Sequence, residues 1–176
     1  MKSNHTEPAG NYTRKAAYAV VLAAAGIALS PYTSLPIGIA KINPTQHFIN
    51  MLGAVLLGPF WAMVTAAVIG LIRNVLGVGT ILAFPGGMIG AILAGYLFRY
   101  TRNLHIGAFG EVIGSGIIAP VVCSVFFAPV LMGKAIPLLA LIPSFLASSV
   151  TGAILGVIAL KALFRADILY PESHEI

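Results

Sequence analysis

GLIRNVLGVGTILAFPGGMIG, residues 70–90, sets Arg73 and Asn74 between two apolar runs and follows them with glycines and the pair Phe84-Pro85. Proline is favoured in the first turn of a helix, where its missing N–H would go unsatisfied anyway and its φ is already helical. The stretch therefore reads as the end of one helix, a turn, and the start of the next. The same punctuation recurs along the chain: Pro44 (after a candidate cap at Asn43), Pro59 and Pro137 stand where apolar segments begin, and Pro31 follows one that ends. Six helices are expected, over about residues 15–30, 44–58, 59–78, 85–100, 106–128 and 137–164, with kinks at Pro120 and Pro143. Helices two and four are short: about 15 residues rise only ~22 Å, against a hydrocarbon core of ~30 Å, so they need flanking loops or packed neighbours.

The chain has 176 residues, of which 59% are hydrophobic and 9% charged, where a soluble domain carries about a quarter charged. With a mean hydropathy of +0.96 it reads as an all-α integral membrane protein. One six-helix transmembrane domain over residues 15–165 is expected, between a polar segment 1–14 and a tail 166–176. The apolar run from Ala16 to Leu29 has the look of a signal peptide, but the rest of the chain is equally hydrophobic, so it reads as a first membrane helix. The net charge of +5 comes from basic residues scattered singly, without the cluster a nucleic-acid partner needs. Cys123 is the only cysteine, which rules out an internal disulfide, and its apolar neighbours mark an inert buried thiol.

Six spans would gather Lys2, Arg14, Lys15, Arg99, Arg102, Lys161 and Arg165 on one face and leave Lys41, Arg73 and Lys134 on the other. By the positive-inside bias the first face is cytoplasmic, so both termini are expected inside the cell membrane. The outer leaflet then collects Ser30, Tyr32, Gln46, His47, Asn50, Arg73, Asn74, Thr80, Phe84, Ser144 and Ser148. Polar groups at membrane depth are costly unless paired or facing a wet cavity, and their convergence points to an outward-facing pocket. Tyr32, His47, Asn50, Arg73, Asn74, Thr80, Phe84 and Ser148 are its candidate substrate-binding residues. Each also has a structural reading: Arg73 snorkels to headgroups or caps helix three, Asn74 is a C-cap, His47 a satisfied histidine, Phe84 membrane filler. Glu111 falls near the opposite end, out of easy reach of Arg73; Arg99 or Arg102 is its expected partner, in a structural role.

Glycine pairs spaced by four, such as Gly86 with Gly90, Gly110 with Gly114 and Gly152 with Gly156, allow close helix contact. On helix one Ala16, Ala19, Ala23 and Ile27 form a smooth stripe that suits either an internal neighbour or a docking partner. No phosphate-binding G-x-x-x-x-G-K-[ST] loop occurs, because GVGTILAFPGG lacks the lysine. The acids and histidines form no metal-ligand spacing, and Ser115 in IGSGI lacks the surroundings of a nucleophile. No cofactor, metal or catalytic machinery is read from the residues.

The segments K-I-N-P-T-Q-H-F-I-N (41–50) and I-R-N-V-L-G-V-G-T-I-L-A-F-P-G (72–86), with GEVIGSGII, resemble the ThiW family. These are substrate-binding subunits of energy-coupling factor vitamin importers, associated with the thiazole precursor of thiamine, and the resemblance runs from about Arg14 to Arg165. It implies a six-helix substrate-binding fold with an extracellular pocket, a membrane scaffold subunit and two cytoplasmic ATPases as partners, and no enzymatic activity. An alanine motif on helix one contacts the scaffold in related subunits; Ala19 and Ala23 match it, Ala16 extends it, and Ala24 with Ala28 form a competing pair. A hydroxyethyl-thiazole would ask for a flat surface from Phe84 or Tyr32 and polar contacts from His47, Asn50 and Asn74. Two other classes stay open: a stand-alone ion-coupled carrier, which calls for ionisable residues near the midplane, and an intramembrane enzyme.

Overall fold

Apolar runs of helical length, each opened by a proline or a polar cap, fold as helices, and six are present among the described residues. A computed structural model describes residues 9–37 and 40–167. The order is α1 (Ala9–Thr33), β1 (Leu35–Ile37), β2 (Ala40–Ile42), α2 (Pro44–Leu56), α3 (Pro59–Val75), α4 (Ala83–Thr101), α5 (Leu104–Met132) and α6 (Leu138–Arg165). By length and composition Asn11–Thr33, α5 and α6 suffice to cross a membrane, and α3 is a shorter apolar helix. The chain is an all-α membrane protein carrying one small hairpin that the sequence reading did not include.

Three boundaries differ from expectation. α1 begins at Ala9 rather than near Lys15, and it runs through Pro31 to Thr33 instead of ending before it. Proline removes only one ladder bond in a last turn, and here Thr33 Oγ1 donates back to the Leu29 carbonyl at 3.2 Å. α4 starts at Ala83, which leaves Pro85 inside its first turn. Pro120 does not break α5: the ladder widens to π geometry over Gly114–Ile118 and again over Cys123–Phe127. Ala119 N–H reaches the Gly114 carbonyl and Ala128 N–H the Cys123 carbonyl, five residues back, immediately before Pro120 and Pro129. A π turn makes room for a ring that would otherwise strike the preceding carbonyl.

α2, at 13 residues, is too short to cross a bilayer alone, and it sits at the centre, touching the other five helices. Thr45, Gln46, His47, Ile49, Asn50, Met51, Leu52, Gly53 and Ala54 are all buried on it, so its polar side chains face protein, not lipid. The apolar core forms around it from Ile49 and Met51 with Ala23 of α1, Ala66 and Ile69 of α3, Ala91 and Ala94 of α4, and Ala153, Val157 and Leu160 of α6. A second cluster, Leu82, Ala119, Cys123, Ala128, Ile136, Leu141 and Phe145, packs the other half of α5 against α6. Cys123 is fully buried there and its thiol points to the Leu82 carbonyl at 3.1 Å, as suits an inert side chain.

The hairpin pairs Leu35 with Ile42, Pro36 with Lys41 and Ile37 with Ala40. Asn43 ties it down. Its Oδ1 caps α2 by accepting from Gln46 N–H at 3.2 Å, while Nδ2 donates to Ser34 Oγ at 2.6 Å and the Ser30 carbonyl at 3.3 Å. Asn43 N–H donates to Ser148 Oγ at 3.0 Å. One residue thus fixes the ends of α1 and α2, the hairpin and α6 at the same end of the bundle.

Candidate functional site

The end of the bundle gathered by Asn43 holds a pocket. Its wall is built from Lys41 on β2, Asn43, Gln46 and His47 at the start of α2, Arg73 in the last turn of α3, Thr80 in the following loop, Ala83 and Gly86 at the start of α4, and Phe145 and Ser148 on α6. Two lysine and arginine cations and no carboxylate contribute to this wall.

Arg73 reaches this position because α3 ends in a folded-back turn. Its carbonyl accepts from Val78 N–H at 3.1 Å and Gly79 N–H at 2.9 Å, with Gly77 at φ +72° turning the chain. Gly79 lies so close that an added Cβ would fall 3.1 Å from Asn74 N and Arg73 Cβ. The backbone therefore caps the helix by itself, and the Arg73 side chain turns inward, only 2% exposed. Its Nη1 donates to Gln46 Oε1, and Nε has no partner among the described residues. Across the mouth, Lys41 Nζ donates to the Val78 carbonyl at 3.3 Å, so hairpin and loop meet above the pocket.

Beneath it lies a second polar group of residues. His47 Nδ1 is 2.7 Å from Glu111 Oε1, which also accepts from Asn50 Nδ2 at 2.9 Å and stands 2.9 Å from Ser115 Oγ. Asn50 Nδ2 also donates to the Gly87 carbonyl at 3.0 Å, and Ser115 Oγ lies 2.7 Å from the Gly86 carbonyl. Glu111 is fully buried, and its Oε2, like Asn50 Oδ1 and Gln46 Nε2, has no partner. Room for the carboxylate comes from Gly90: an added Cβ there would fall 2.7 Å from both Glu111 oxygens and collide with Ser115 Oγ.

Of the expected binding residues, His47, Arg73, Thr80 and Ser148 line the pocket, and Asn50 stands behind His47 in the Glu111 cluster. Three lie elsewhere. Tyr32 is 86% exposed in the last turn of α1. Asn74 turns into its own loop, donating to the Gly70 carbonyl at 2.9 Å and the Thr80 carbonyl at 3.3 Å, which is the structural role open to it. Phe84 packs on Gly70 of α3, where an added Cβ would fall 3.0 Å from its ring. Lys41, Asn43, Gln46 and Phe145 complete the wall; Gln46 was visible as an outer polar residue, whereas Lys41 was read only as an orientation charge. Glu111 needs correcting as well: its partner is His47, not Arg99 or Arg102, because α2 presents His47 at the depth where α5 carries the acid.

The alanine stripe of α1 is also corrected. Ala19 and Ala23 are 8% and 6% exposed and face the chain's own α2 and α3, with Ala16 half-buried beside them and Gly26 so close that an added Cβ would fall 2.8 Å from Ile69 Cδ1. An internal neighbour already covers that face. The small residues left open on α1 are Ala17, Ala24 and Ala28, with Val21 between them. Among the described residues no group of three or more potential metal ligands occurs.

A family model described as "Thiamine-precursor transporter protein (ThiW)" matches residues 16–166, most of the chain. No curated protein and no solved structure matches it.

Proposed function

The chain belongs to the ThiW family of thiamine-precursor transporters, and from that premise we propose that it is the substrate-binding subunit of an ATP-driven energy-coupling factor importer for the hydroxyethyl-thiazole precursor of thiamine. The observation that carries this reading is the pocket itself: a polar cleft at one end of an apolar bundle, walled by four helices and a hairpin, in a transporter-family chain whose sequence carries no phosphate-binding loop. Energy then has to come from partners, a membrane scaffold and two cytoplasmic ATPases.

On this reading all six helices lie in the cell membrane over residues 15–165, with 1–14 and 166–176 cytoplasmic and the pocket facing outward, as the distribution of basic residues favours. The thiazole ring lies against Phe145, with His47, Thr80 and Ser148 as its polar contacts. Purified protein is expected to retain or bind the hydroxyethyl-thiazole in preference to hydroxymethylpyrimidine and thiamine, measured by titration calorimetry and by mass spectrometry of extracted ligand. Equal or absent binding of the thiazole overturns the assignment.

The scaffold then docks on the open face of α1, at Ala17, Val21, Ala24 and Ala28, where small side chains permit close helix approach. Ala24→Leu with Ala28→Leu is expected to lose most of the scaffold and ATPases that copurify in mild detergent, while the chain stays folded. Undiminished copurification places the docking face elsewhere.

One observation favours a second reading. The His47–Glu111 pair is an ionisable couple buried in the bundle, the feature a proton-coupled carrier calls for. Uptake into liposomes holding this chain alone, driven by a pH gradient, would establish that alternative; uptake only with the ATPases present supports the importer.

A further inference from the structure

Arg73 is a permanent cation with five N–H donors, and among the described residues its side chain has one hydrogen-bond partner, the neutral amide of Gln46. Its exposure is 2%, its Nε is unpartnered, and no carboxylate of a described residue lies within 4 Å of it. A buried charge in that condition costs several kcal/mol unless something compensates it. The one acid buried nearby does not: Glu111 directs Oε1 to His47, Asn50 and Ser115.

The surroundings are donor-rich on the same side. Lys41 shares the pocket wall, and among the described residues one of its three donors is engaged, by the Val78 carbonyl. His47 has Nδ1 committed to Glu111, which leaves Nε2 as the ring's other polar atom on a residue of the wall. Thr80 and Ser148 add hydroxyls, and no acidic residue lines the pocket. A neutral ligand in this space leaves the guanidinium as it is now; an oxyanion supplies the missing acceptor and meets the guanidinium fork in two parallel bonds.

We propose that the pocket binds its ligand through an oxyanion, with Arg73 as the seat and Lys41 as the second cation, so that the transported heterocycle carries a carboxylate or a phosphate monoester instead of a free hydroxyl. The inference rests on the thiazole reading for the heterocycle and departs from it for the charge. Lipid phosphate at the outer leaflet offers the same oxyanion chemistry from a different source.

The test crosses the two questions, using the full chain in nanodiscs. Hydroxyethyl-thiazole, its phosphate monoester, thiazole-acetic acid, hydroxymethylpyrimidine and its phosphate are titrated against the wild type, Arg73→Gln, Arg73→Lys and Lys41→Gln. The wild type is expected to bind the anionic thiazoles at least about tenfold tighter than the alcohol, the difference one well-made charged pair supplies. That ratio should fall to about one in Arg73→Gln and lie between in Arg73→Lys and Lys41→Gln. Alcohol and phosphate binding the wild type equally well overturns the proposal without need of any variant and leaves the thiazole importer standing. A phosphate preference seen for the pyrimidine but for no thiazole sustains the oxyanion seat and overturns the thiazole. Binding indifferent to ligand charge, with Arg73-dependent retention of phosphatidylglycerol by native mass spectrometry, assigns the site to lipid and overturns the proposal.

Discussion

Glu111→Leu is expected to lower the thermal unfolding midpoint in detergent more than any substitution on the lipid-facing surface, because it strips a shared hydrogen-bond partner from three buried side chains at once. His47 Nδ1, Asn50 Nδ2 and Ser115 Oγ all converge on Glu111 Oε1. Leaving a buried polar group without its hydrogen-bond partner costs about 1 to 3 kcal/mol, whereas replacing both partners with apolar groups is often close to neutral. The informative comparison is therefore the cycle of Glu111→Leu, His47→Leu and the double variant, read as unfolding midpoints. The double variant should recover a large part of the loss, short of all of it because Asn50 Nδ2 loses one of its two acceptors and Ser115 Oγ is left with the Gly86 carbonyl alone. Additive losses, or a silent Glu111→Leu, would show that the cluster is not energetically coupled.

Gly152→Leu is the second large effect. An added Cβ at Gly152 would fall 2.5 Å from His47 Cβ and 2.9 Å from Phe48 N and strike the Pro44 carbonyl, so the obstacle is the backbone of α2 and cannot swing aside. Overpacking typically costs 1 to 3 kcal/mol, about the upper end of which applies where backbone must move. Because α2 is the element every other helix touches, displacing it disturbs the pocket as well as the core. The expected readout is a collapse of the monodisperse peak in size-exclusion chromatography, together with loss of ligand binding in any protein that survives. Ile154→Leu, on the exposed side of the same helix, serves as the comparison and should behave as wild type. A monodisperse, ligand-binding Gly152→Leu protein would refute the close α2–α6 contact.

The helices were legible because proline writes its position into the chain: Pro44 and Pro59 open α2 and α3, and Pro137 immediately precedes α6. The pocket was legible in part. His47, Arg73, Thr80 and Ser148 all fall toward one end of the bundle, and an up-and-down order of helices alone brings them together. What periodicity along one helix does not give is the depth at which a neighbour presents its side chains. Glu111 was assigned to the far end by counting along α5, yet the short, central α2 brings His47 to its level. The α1 stripe was misplaced for a related reason, since small residues permit close packing without naming the partner. Ala19 and Ala23 met α2 and α3 of the same chain. Lys41 carried no periodic signal, because it belongs to a hairpin of three-residue strands where pattern is too short to read.

The two π segments of α5 have a consequence for how this chain tolerates change. Each wide turn acts as one residue more than a regular helix would hold, and an α-helix advances about 100° per residue. Deleting a single residue within Gly114–Ile118 would remove the surplus and close α5 into a regular helix with Cys123 and its buried neighbours still facing inward, whereas deleting one within the regular stretch Leu104–Ile113 would swing one side against the other by that angle. Length here is itself a kind of sequence information: each wide turn absorbs one residue, so the buried faces on either side of it stay in step.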